Sequence, residues 1–197
     1  IADGVTNNAA AIQQAIDEAS AAGGRVVIPQ GKYLSGTLVL KSNIDFHLEK
    51  GAVLISSLNQ EDIMDFAKLF EDDNACTGWD GGCFLFACHE ENITISGEGV
   101  IYGQGDKVFI DDDVDGGAHE CPLSVAAFRP RTTFLEDVTN LTVRDITIQD
   151  AAFWTLHMAG CHHVRVQDIK ILNDVRGANN DGIDPDCCKD VLITGCL

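Results

Sequence analysis

Apolar residues recur in two rhythms along this chain. From Thr6 to Ala22 the sequence TNNAAAIQQAIDEASAA sets Ile12, Ile16 and Ala19 four and three residues apart, on one face of a helix. Thr6, Asn7 and Asn8 offer N-cap oxygens, and Gly23-Gly24 stops the segment. Beyond it the helical period disappears. Val26-Val27-Ile28 is a compact apolar run. Leu38 and Leu40, then Ile44, Phe46 and Leu48, then Ile93 and Ile95, then Leu141 and Val143 alternate with polar neighbours. Each group is fenced by Gly, Asn or Asp, the pattern of short strands. Hairpin turns are scarce, which favours parallel neighbours.

The strands repeat. VTNLTVRDITI (138–148) aligns without a gap on CHHVRVQDIKI (161–171), pairing Leu141 with Val164, Val143 with Val166 and Ile148 with Ile171, always 23 residues apart. CKDVLI (188–193) follows 27 residues after CHHVRV, and NIDF, NITI and NLTV recur at 43, 92 and 140. Short strands at this period, with no helix inside the unit, predict a right-handed parallel β-helix. No coil buries its apolar face alone; stacked about 4.8 Å apart, the coils bury a continuous column. Residues 1–24 read as an N-terminal capping helix segment and 25–197 as the coils of the same domain. Leu197 falls in mid-coil with no cap in view, so the solenoid is expected to be truncated at its C-terminal end or covered there by a missing part.

Two stretches break the rhythm, Leu58 to Gly82 and Gly105 to Glu120, and both read as loops walling a cleft. The acidic run 111–116 lacks the EF-hand register and its closing Glu, so it reads as a loop, not a calcium site. Thirteen Lys and Arg against 31 Asp and Glu give a net charge of −18, which makes nucleic acid and anionic membrane poor partners. None of the eight cysteines forms a CxxC pair, so structural zinc is not expected. A disulfide among Cys76, Cys83 and Cys88 and buried free thiols both remain open.

Candidate chemistry gathers near the C-terminal end. At the offset of 27, Leu156 stacks under Ile183, His157 under Asp184 and Trp154 under Asp181. An aromatic beside carboxylates is a surface that binds sugars. Asp184 has opposite parity to the inward Ile183 and so points out. Asp181 has the same parity as Ile183, so Gly182 is expected to bend the chain and keep that carboxylate out of the core. His157 reads either as a structural histidine or as a substrate contact. His162 and His163 read as an inter-coil turn, and the sequons at Asn92 and Asn140 as side-chain ladders.

PQGKYLSGTLVLKSNIDFHLEKGAVLISS (29–57), ITISGEGVIYGQG (93–105), DAAFWTLHMAGCHHV (150–164) and NNDGID (179–184) together resemble the polygalacturonases, glycoside hydrolase family 28. The resemblance implies an inverting, pectin-degrading hydrolase of extracellular or periplasmic location, acting on pectic polysaccharide or oligogalacturonide without metal or cofactor. The family's Asn-Thr-Asp motif matches Asn179-Asn180-Asp181, with Asn in place of Thr. Asp181 carries over as a catalytic carboxylate that helps activate water, Asn179 as its orienting neighbour, and Asp184 as a further member of the motif. The family's Asp-Asp pair, His motif and Arg-x-Lys motif lie beyond this segment; one more coil from Asp181 passes Leu197, so the chain alone is expected to be inactive. Arg131, Arg176 and Lys189 are candidate positive groups for substrate carboxylates, with Arg131 in the column of Trp154. Two other functions fit the same architecture: a pectate-lyase-like polysaccharide lyase and a non-catalytic carbohydrate-binding β-helix.

Overall fold

The computed structural model describes residues 1–65, 82–111 and 123–197. Among these, three parallel sheets of six, six and five strands run the length of the molecule. The chain visits them in rotation: Gly24–Ile28 in the first, Gly31–Ser35 in the second, Leu38–Val39 in the third, then Ile44–Leu48 back in the first. The fold is a right-handed parallel β-helix. Phe109–Ile110 and Ser124–Val125 form a small antiparallel pair on the side of the coils. The acidic run 112–116 and the middle of the first loop, 66–81, lie outside the described residues, as do Cys76 and Cys121.

The repeat offsets are the strand registers. Leu141 pairs with Val164 and Val143 with Val166; Leu156 pairs with Ile183 and His157 with Asp184. Inward positions stack into apolar columns, one running Val26, Phe46, Ile95, Val143, Val166, Ile193. The first five are buried, whereas Val191 and Ile193 of the last described strand are 37% and 41% exposed.

The helix is Ala9–Ala22, with Ile12 and Ile16 buried against the core. It starts later than its periodicity suggests, because Asp3–Asn7 is a strand of the second sheet. The Asp3 carboxylate accepts from the Val5 and Thr6 amides and the Thr6 hydroxyl, and this fixes the chain outside the helix. Asn8 stands at the N-cap but caps no helix amide: its Nδ2 donates to the Ile1, Thr6 and Leu34 carbonyls and its Oδ1 accepts from the N-terminal ammonium at 2.6 Å, while Asn7 Oδ1 accepts from the Ala9 amide at 2.9 Å. Gln13 bonds both the amide and the carbonyl of Val39, at 2.8 and 2.9 Å, and so closes a sheet edge that would otherwise be open.

One corner of the coils is built on left-handed residues. Asn43, Asn92, Asn140, His163 and Asp190 stack there with φ between 54° and 63°. Asn92 donates to Asn43 at 2.8 Å and Asn140 donates to Asn92 at 2.9 Å, so both sequons serve a side-chain ladder. Asn tolerates this backbone region better than most residues. Asn92→Ala loses two ladder bonds and keeps the unfavourable φ. It should cost about 1–2 kcal/mol, read as a lower urea midpoint, with Asn92→Gly recovering part of the loss.

Cys83, Cys88, Cys161, Cys187, Cys188 and Cys196 are free thiols. Cys83 and Cys161 are buried and donate to the Leu85 and Leu135 carbonyls, acting as small core residues.

Candidate functional site on the third sheet

The outward column of the third sheet reads Val39, Phe86, Phe134, His157, Asp184. It changes from apolar to ionisable over its last two rungs. Phe134 is 1% exposed and His157 3%, so His157 lies inside this wall rather than on an open groove floor. Its ring sits 4.8 Å from Phe134 and 4.6 Å edge-on from Trp154. Burial, and then the Arg131 charge, push the imidazole down to about 4, so it is neutral at physiological pH. Its Nδ1 and Asp184 Oδ2 are both buried without a hydrogen-bond partner among the described residues.

Asp181 is exposed, and the chain bends at Gly182 before the strand Ile183–Asp186 begins. The Thr155 amide donates to the Asp181 carbonyl at 3.0 Å, which sets Asp181 over the coil of Trp154. The turn before it is heavily braced. Asn173 Nδ2 donates to the Asn180 carbonyl and to the Thr155 hydroxyl, both at 2.8 Å. Asn180 in turn donates to the Asp174 carbonyl. Asn180, where the motif has Thr, is thus a loop-closing residue, and Asn179 beside it is exposed with φ 57°.

Burial, and then the neighbouring Asp181 charge, push Asp184 up to about 6. A carboxyl that keeps its proton in mildly acidic solution is suited to donating a hydrogen bond or a proton to a sugar oxygen. The two shifts act oppositely on stability. Asp184 has its folded value raised, so its contribution is full below the unfolded value of 3.8 and is lost as pH rises through about 6. His157 has its folded value lowered, so its contribution is full above 6.5 and is lost as pH falls through about 4. Between pH 4 and 6 the two slopes oppose each other. Asp184→Asn should therefore make thermal stability climb more steeply with pH across that window than in the unaltered protein, in a melting series at constant ionic strength.

The basic residues are placed differently from the sequence reading. Arg131 does share the Trp154 column but is fully buried; its guanidinium lies 5.1 to 5.9 Å from the ring centres of Phe153, Trp154 and Phe134. It lies among those rings and, fully buried, is not open to a substrate carboxylate. Arg176 bonds Asp111 at 2.9 Å and approaches Asp174 at 4.0 Å, so its charge is already matched. Lys189 begins a strand of the first sheet, on another wall. Arg129, which the sequence did not single out, reaches the turn: it donates to the Ala178 carbonyl at 2.6 Å and to Asn179 Oδ1 at 3.1 Å. Its partners stand some fifty residues away with an aperiodic loop between, so no local signal marks it. Beside Asn180 a cavity of about 190 Å³ is lined by Phe109 and by Asp106, Asp150 and Asp174, which disfavours a uronate carboxylate at that spot.

The geometry is a solenoid wall with an exposed carboxylate, a half-buried one and a tryptophan stacked on Phe153. The family model of glycosyl hydrolases family 28 matches residues 21–197. The chain belongs to that family. Its relatives there include a probable polygalacturonase of Vitis vinifera, 28% identical over 206 residues, covering all of this chain and 40% of that protein. A solved family 28 exopolygalacturonase from Yersinia enterocolitica superposes with a TM-score of 0.79 at 24% identity, covering all of this chain and 41% of the other, a likeness of fold. A plasmin- and fibronectin-binding protein of Streptococcus pneumoniae is 28% identical over 186 residues, 87% of this chain and 23% of that protein. The family 28 chain thus spans about two fifths of the length of the polygalacturonases it matches.

Proposed function

We propose that this chain carries part of the active site of a pectin-hydrolysing glycosidase that cleaves galacturonosidic bonds with inversion. The observation that carries the reading is the exposed Asp181, held by the bend at Gly182 against the desolvated Asp184 on the wall that bears Trp154. Asp181 takes a proton from the attacking water, with Asn179 orienting that water, and Trp154 offers an aromatic surface to a sugar face. Asp184, protonated below about pH 6, donates to a substrate oxygen. The general acid opposite Asp181 comes from a further coil stacked on the half-exposed edge of Val191, Leu192 and Ile193. On this reading the 197-residue chain alone is inactive, and the whole protein works outside the cell on pectic polysaccharide.

The test is the product chemistry of the whole protein on polygalacturonate. Hydrolysis yields new reducing ends without an unsaturated, ultraviolet-absorbing product, and proton NMR of the first turnovers shows the anomer opposite to that of the cleaved linkage. Ultraviolet-absorbing product assigns a lyase, and the retained anomer removes inversion. The pneumococcal relative is named for binding plasmin and fibronectin, and a carbohydrate-binding module without cleavage is the second reading. In that case oligosaccharide is bound and recovered intact, with or without Asp181→Asn.

A further inference from the structure

We propose that Arg129 is a positioning residue that sets the orientation of the Asn179 amide at the cleavage site; this rests on the hydrolase reading above. Arg129 stands two residues before the strand Arg131–Glu136, one coil beneath Trp154, and reaches up to the turn that leads into Asp181. One guanidinium nitrogen donates to the Ala178 carbonyl at 2.6 Å and another to Asn179 Oδ1 at 3.1 Å. The guanidinium carbon lies 4.3 Å from the centre of the Phe153 ring, and Phe153 stacks on Trp154 at 5.5 Å with the rings 6° apart. One side chain therefore ties the aromatic platform to the turn.

The chemistry of the fork settles something the fold leaves open. An amide side chain can present either its oxygen or its nitrogen to a neighbour. A guanidinium has donors only, so the atom it meets on Asn179 must be the oxygen. That leaves Nδ2, with its two N–H groups, as the atom of Asn179 that donates to a water or a sugar oxygen beside Asp181. Asn179 also holds φ 57°, a left-handed state open to Asn, and the bonds to the Ala178 carbonyl and to Asn179 Oδ1 fix how that turn presents its side chain. Lysine cannot span both oxygens, because an ammonium is a point charge without a planar fork.

The test is a double-mutant cycle in the protein that cleaves polygalacturonate, using Arg129→Gln, Arg129→Lys, Asn179→Ala and the Arg129→Gln, Asn179→Ala pair. Arg129→Gln is expected to lower kcat on the order of 10²-fold, with KM changed by less than about twofold. Arg129→Lys recovers part of that loss, and the pair is no slower than Asn179→Ala alone. Losses that multiply in the pair, or a raised KM with unchanged kcat, overturn the proposal, since Arg129 would then act independently of Asn179. A second readout needs no turnover. In the 15N-labelled 197-residue chain, the Asn179 side-chain amide signals should move toward those of a free amide on Arg129→Gln while the Ile183–Asp186 backbone signals stay in place. Unmoved Asn179 signals overturn the clamp. If the unaltered whole protein leaves polygalacturonate intact, the hydrolase reading fails, and the amide signals still decide the clamp.

Discussion

In the whole protein, Asp181→Asn lowers kcat on polygalacturonate on the order of 10³-fold, with KM and melting temperature close to those of the unaltered whole protein. The small structural effect follows from the position of the side chain. Asp181 is exposed, and what the coil below uses is its backbone carbonyl, which accepts from the Thr155 amide. The amide side chain of Asn has nearly the same shape, so the turn braced by Asn173 and Asn180 is kept. The large catalytic effect follows from chemistry: an amide cannot accept the proton of the attacking water. Removing the Asp181 charge also removes one of the two causes that hold the Asp184 proton, so the pH profile of the residual activity should shift to lower pH on its Asp184 limb. Activity and KM are read from initial rates of reducing-end formation, and fold from far-ultraviolet dichroism.

Phe46→Ala costs about 3–5 kcal/mol, read as a fall in the urea midpoint with a melting temperature lower by roughly 10 °C. Phe46 is fully buried. It occupies one rung of the column that runs from Val26 to Ile193, with Val26 on one side and Ile95 on the other. Removing the ring takes contacts from both neighbouring coils at once, and short strands held in register above and below have little freedom to close the gap. In a solenoid each coil is stabilised by its neighbours, so the loss weakens the seating of the helix on the first coils as well. Phe46→Leu, which keeps most of the apolar volume, should recover the larger part of the stability.

The architecture was legible because a solenoid writes its contacts into the sequence as fixed offsets. Leu141 to Val164 and Leu156 to Ile183 are separations that can be counted on the chain, and they are also neighbouring rungs in space. The bend at Gly182 was legible for a different reason: a carboxylate at an inward parity has to be turned out. Depth was not legible. Offsets place Arg131 and His157 in the right columns, but they do not say that both are buried beside the rings of Phe134 and Trp154. The charge pairing of Arg176 with Asp111 runs across 65 residues through a loop with no period, and the reach of Arg129 to Asn179 is of the same kind. The strand Asp3–Asn7 was hidden behind residues that also make good helix caps. Its extended state depends on Asp3 bonding its own neighbours and on pairing with Gly31–Ser35.

The most direct test is a titration of the 15N-labelled chain with an oligogalacturonide, followed residue by residue. The account predicts that the Trp154 indole and the backbone signals of 154–157 and 179–184 shift together and saturate, while strands of the first and second sheets stay fixed. Shifts centred on those other two walls, or none at millimolar sugar, would contradict it.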